Sequence, residues 1–158
     1  MGILDFLKRP EYTDPVVGAL IRQGGYWRGR ITLGSGSGVP LLLPGPRAAP
    51  GEAGLGLARE LGPRYTALRP AIERALFEHY EPHSEAGDSG EEEIPRLSGP
   101  DQVWGHVSLA HVLIEPLGGV ETVEIAYRTE WDPEHTLGAR FQHWALIELN
   151  GSVISRER

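Results

Sequence analysis

The chain contains no cysteine. Disulfides, thiolate metal sites and a catalytic thiol are therefore excluded, and the composition fits a reducing, cytoplasmic setting. No window approaches the roughly 20 consecutive apolar residues that a membrane-spanning helix needs, so no membrane partner is expected. Residues 1–10 are apolar but short, with no basic stretch ahead of a long hydrophobic one, and do not read as a secretory leader. Phe6 stands where a myristoylation signal wants Ser or Thr. Positive charge is scarce as well: 15 Lys and Arg against 22 Asp and Glu leave a net charge of −7, with a pI near 5.3. An acidic domain repels phosphate backbones, so nucleic acid is not an expected partner. Arg22, Arg28, Arg30 and Arg47 read as arginines on a solvent face. Neither a G-x-S-x-G elbow nor a P-loop lysine is present.

What is present fits one domain spanning residues 1–158, long enough to bury a core without staples. Residues 3–8 read as a small terminal helix with Ile3, Phe6 and Leu7 on one side. Residues 16–22 read as a strand, ended by Gly24-Gly25. From 26 to 33 the side chains alternate, with Trp27, Ile31 and Leu33 on one face, the period of a half-buried strand. The glycine run 34–38 and the apolar run 39–43 complete a β-hairpin. Residues 52–61 suit a short helix. From 63 to 80, the spacing of Leu61, Tyr65, Leu68, Ile72, Leu76 and Tyr80 makes one apolar helical stripe. Pro70 predicts a kink or break at 69–70, and Pro82 a stop. Residues 81–100, rich in Glu, Gly, Ser and Pro, read as a mobile acidic loop. Strands are expected at 103–114, 120–130 and 137–149, the last able to pair with itself near Gln142-His143, and Asn150-Gly151 reads as a turn or strand exit. The expected fold is α+β: an antiparallel sheet of about six strands in the order βββ–α–βββ, covered on one face by a kinked helix or helix pair.

The run Trp131-Asp132-Pro133-Glu134-His135 is the densest in chemistry. Carboxylates and imidazole are ligand and general-base types. Asp before Pro is also a turn signal, and an indole can plug the end of a sheet. The structural role is preferred, with Trp131, Asp132, Glu134 and His135 kept as binding residues. His79 and His83 stand four apart, as zinc ligands on a helix would, but Tyr80 takes the place of a zincin glutamate and Pro82 is expected to break the helix. His106 and His111 fall on opposite faces of the expected strand, with His111 beside Val107, Leu109 and Leu113. No catalytic residue, metal site or cofactor is expected. Glu91, Glu92 and Glu93 offer a surface for a basic partner.

Gly25-x-Trp27-x-Gly29, then Ala75-Leu76-Phe77-Glu78-His79-Tyr80, then Trp131-Asp132-Pro133-Glu134-His135-x-Leu137-Gly138 resembles an uncharacterised bacterial domain family with a Trp-Asp-x-Glu-His-x-Leu-Gly signature, over residues 14–153. The resemblance carries no established activity. It implies a small α+β domain of the kind associated with immunity proteins beside secreted toxins. The expectation is thus a non-catalytic domain that binds another, basic protein. The alternatives are a metal-dependent or acid/base enzyme using the 130–135 loop, and a homo-oligomeric structural protein using its N-terminal segment.

Overall fold

Alternation of apolar and polar residues makes strands from Glu11 onward. The computed structural model describes residues 8–34, 36–86 and 94–152. The terminal helix expected at 3–8 therefore lies almost wholly outside the described residues, and Glu91, Glu92 and Glu93 lie entirely outside them. Four strands come first: β1 (Glu11–Asp14), β2 (Gly18–Gln23), β3 (Tyr26–Thr32) and β4 (Gly38–Leu43). Helix α1 (Glu52–Ala86) and a 3-10 helix (Pro100–His106) follow. Then come β5 (Val107–Leu117), β6 (Val120–Thr129), β7 (Thr136–Gln142) and β8 (Ala145–Gly151). All eight strands form one sheet in sequence order. Every pair is antiparallel except β4 and β5, which run parallel because α1 carries the chain back across the sheet between them.

The class is α+β as expected, but the sheet has eight strands and not six. β1 is short and mostly polar, which hid it. The stretch 137–149 is two strands, joined at His143-Trp144, both with positive φ (50° and 62°). Hairpin turns of this hand normally take Asn-Gly, because non-glycine residues are strained there. Here Trp144 is anchored to the helix. Its indole N–H donates to Glu60 (3.2 Å), and the Arg64 guanidinium lies 4.9 Å from its ring. Residues 103–106 are not strand but the end of the 3-10 helix, which docks on α1. The Trp104 indole donates to Glu73 (2.8 Å) under the Arg69 guanidinium.

The helix is one piece of 35 residues, with Pro63, Pro70 and Pro82 inside it. The break expected at 69–70 and the stop at Pro82 do not occur. All three prolines are exposed. The carbonyls whose usual i+4 donor each proline removes, at Arg59, Thr66 and Glu78, belong to exposed or half-buried residues. The opposite face carries Leu61, Tyr65, Leu68, Ile72, Leu76 and Tyr80, all buried against Trp27, Leu41, Ile114, Ile125, Tyr127, Phe141 and their neighbours. The Tyr65 and Tyr127 hydroxyls pair inside this core at 2.9 Å, and burial drives the Tyr127 hydroxyl far above its usual pKa.

Asp14 ties the first hairpin to the helix. It is buried, accepts from the N–H groups of Val16 and Val17 (both 2.9 Å) and receives Nε and Nη2 of Arg59 at 2.9 and 2.7 Å. The Arg59 hydrogen bonds, helped by the Val17 amide, hold its carboxyl at about 2, against an ordinary 3.8. A carboxylate with a depressed folded pKa stabilises fully above its unfolded value and loses that contribution as pH falls through the folded one. Asp14→Asn should cost about 1–3 kcal/mol in denaturant unfolding at neutral pH. The gap to the parent chain should narrow between about pH 4 and pH 2, where the parent's own carboxylate becomes protonated. A gap that stays constant over that window would show that Asp14 does not act through its charge.

Candidate functional site

The connection between β6 and β7 is a corner fastened on three sides. The backbone N–H of Glu130 donates to the carbonyl of His106 (3.0 Å), and the two side chains meet at 2.6 Å. Trp131 is buried edge-on against Tyr80, with centroids 5.4 Å apart and planes at 72°. Its indole N–H donates to Nδ1 of His79 at 3.1 Å. Asp132 to His135 close a turn, with the His135 N–H on the Asp132 carbonyl (3.3 Å) and Nδ1 of His135 on Asp132 Oδ1 (2.7 Å). That hydrogen bond, with the Asp132 charge, raises the pKa of His135. Glu134 is exposed. An open groove of about 320 Å³ runs beside the corner, lined by His106, Ser108, Arg128, Glu130 and Pro133 among others.

Because α1 continues through Pro82, His79 and His83 share one helix face one turn apart. Their rings stack at 4.9 Å. Asp132 faces both: its Oδ2 lies 3.9 Å from Nε2 of His79 and 3.8 Å from Nε2 of His83. One ligand atom from each of the three residues falls within 4.8 Å of the others. Burial lowers the pKa of His79, and His83 adds to this, against the opposing pull of Asp132. In sequence these residues stand in two separate motifs, and the stop predicted at Pro82 speaks against a ligand pair; the unbroken helix removes that objection. The signal was present as two imidazoles four apart. Which carboxylate meets them, 49 residues further along the chain than His83, is decided only by tertiary packing.

A second polar cluster sits on the sheet face away from the helix. A bulge between Leu109 and His111 shifts the register of β5 against β6. It sends Val107 and Leu109 to the helix side and His111 to the other, which corrects the expectation that these two share a face with His111 and Leu113; Leu113, beyond the bulge, does stay on the His111 side. Buried Glu124 gathers Ser152 (2.9 Å), His111 (3.3 Å) and Arg140, whose Nη2 lies 3.0 Å from Oε1, an ion-pair distance without hydrogen-bond alignment. Burial alone would raise the Glu124 carboxyl. The His111 and Ser152 hydrogen bonds and the Arg140 charge outweigh it, and its pKa is lowered. Serine, histidine and glutamate meet here without forming a nucleophile triad: the same Nε2 of His111 faces both Ser152 and Glu124. A triad needs the carboxylate on the other ring nitrogen.

Residues 57–154 match the family described as a domain of unknown function (DUF6985), and the chain belongs to it. The match contains most of α1, all of β5–β8 and the corner, whereas β1–β4 lie outside it. No curated protein and no solved structure matches the chain significantly.

Within the match, Gly138 has a definite task. A Cβ at this position would stand 2.2 Å from Glu124 Oε1 and 2.6 Å from its Cδ. Gly138→Ala should therefore destabilise by about 2–4 kcal/mol, because the displaced carboxylate is buried and paired. In a Glu124→Ala background the added methyl should cost less than about 1 kcal/mol. Equal costs in both backgrounds, read from a double-mutant cycle of unfolding free energies, would rule this contact out.

Proposed function

We propose that this member of a family without an assigned activity is a non-catalytic bacterial domain, cytoplasmic in setting, that binds a basic protein in the manner of a toxin-immunity protein. The observation that supports this reading is the exposed acidity of two segments that adjoin. Glu78, Glu81 and Glu85 lie in the last turns of α1, and Glu130, Asp132 and Glu134 in the corner, two segments that meet at the Asp132 contacts with His79 and His83. All of them except Asp132 are exposed. The C-terminal end of a helix already carries partial negative charge, so a carboxylate in the last turn, here Glu85, costs on the order of 0.3–1 kcal/mol at an exposed site. Selection for stability alone would place cations there. Exposed acidic segments of this kind speed encounter with a basic partner and reject acidic ones. Beside the corner runs the open groove of about 320 Å³, a shape suited to docking. The metal-dependent reading draws support from the same corner only through His79 and His83, not through the loop by itself.

The test is affinity purification of the full chain from its native host, then binding kinetics with the recovered protein. A stoichiometric basic partner should appear. Replacing Glu78, Glu81 and Glu134 together by Lys should slow association by about tenfold or more at low salt, whereas Glu11→Lys should not. Failure to recover a stoichiometric partner, or equal kinetics for the two variants, overturns the proposal.

A further inference from the structure

We infer that His79, His83 and Asp132 form a binding site for a late first-row divalent cation, zinc foremost, which fastens the 130–135 corner to the end of α1. The inference does not depend on the docking reading. Two imidazoles and one carboxylate are a donor set suited to such ions and a poor one for magnesium or calcium, which prefer oxygen. The chain supplies no thiolate that would compete.

The geometry is close to that required. Zinc holds nitrogen and oxygen ligands at about 2.0–2.2 Å, so tetrahedral neighbours stand about 3.3 Å apart. The carboxylate oxygen already lies 3.9 and 3.8 Å from the two imidazole nitrogens. For the carboxylate, closing on an ion needs an approach of about half an ångström to each imidazole, and all three ligand atoms lie within 4.8 Å of one another. All three side chains are partly shielded, at 26%, 35% and 14% exposure for His79, His83 and Asp132, which leaves a path from solvent.

The outer contacts prepare two of the three ligands. Nδ1 of His83 lies 3.0 Å from the carbonyl of His79. A carbonyl only accepts, so the proton sits on Nδ1 and the Nε2 lone pair faces Asp132. This is the support that ligating histidines usually receive. Asp132 is oriented by His135 on its other oxygen. His79 is held differently. The Trp131 indole donates to its Nδ1, which puts the proton of the neutral ring on Nε2, the atom turned toward Asp132. Ligation through Nε2 requires the other tautomer. The proton moves from Nε2 to Nδ1 with no net release from this ring, and the indole N–H gives up its acceptor. Cation binding is thereby linked to the surroundings of Trp131, which gives the site an optical signature.

The experiment uses the untagged full chain, stripped with chelator and titrated with zinc chloride by calorimetry. The expected result is one zinc per chain, a melting temperature raised by several degrees and restored by chelator, and no comparable effect of magnesium. His83→Ala should weaken binding by at least about tenfold, since one of three protein ligands is lost. His143→Ala, outside the cluster, should leave it unchanged. Asp132→Asn should act like His83→Ala. If that variant does not fold, His83→Ala decides the matter, because His83 lies on the last, partly exposed turn of the helix. Zinc should change the indole fluorescence of the parent chain, whereas Trp131→Phe should bind zinc without that change. Absence of stoichiometric binding overturns the inference, and so does binding that His83→Ala leaves intact.

Discussion

Among the described residues one α-helix has to cover a sheet of eight strands, and most of the structure follows from that requirement. Strands about 4.8 Å apart make a sheet some 34 Å across between its outer members. A helix of ordinary length, about 11–12 residues, reaches less than 20 Å at 1.5 Å per residue. The 35 residues of α1 give about 52 Å, enough to lie obliquely over the sheet with length to spare at the corner. The apolar stripe from Leu55 to Tyr80 supplies the adhesion. The prolines lie on the opposite, exposed face, where no core contact is lost.

That length also explains why the corner exists. Tyr80 is the last buried residue of the stripe, and Trp131 packs on it. The Tyr80 hydroxyl accepts the N–H of Leu97 and donates to the carbonyl of Pro95, so the incoming segment is held at the same point. One tyrosine thus joins the helix end, the segment leading to the 3-10 helix and the β6–β7 connection. The histidines at 79 and 83 flank it on the helix, which is why they face Asp132 rather than open solvent.

Patterns with short periods were legible in the sequence. The helical stripe lies where its spacing predicts, and the β3–β4 hairpin follows from alternation and a glycine run. Features governed by distant contacts were not. Pro70 looks like a helix breaker until its exposure is known. The turn at His143-Trp144 lacks turn residues because its stability comes from Glu60 and Arg64, some 80 residues earlier. The bulge in β5 reverses side-chain parity, and nothing in the residues 109–111 announces it. Residues 103–106 alternate weakly but fold as a 3-10 helix because Trp104 finds Glu73 and Arg69. For the corner, residue types are visible in the sequence and their company is not: the loop and the histidine pair lie far apart in the chain, whereas the fold makes them one cluster.

The signature run divides by task once the faces are assigned. Trp131 and Leu137 enter the core on the helix side of the sheet. Gly138, next in sequence, points to the opposite face and is bare so that the Glu124 carboxylate has space. Register alone produces this split, since neighbouring strand residues face opposite ways. Asp132 and His135 close the turn, and Glu134 stays in water. Trp131, Leu137, Gly138 and His135 are therefore explained by folding without reference to any partner. Asp132 is not fully explained in that way. A turn needs its carbonyl and one carboxylate oxygen, but the second oxygen is aimed at two imidazoles on another element, at distances too long for hydrogen bonds. Pairing with those rings becomes favourable when a positive charge, whether on a partner or an ion, occupies the space between them.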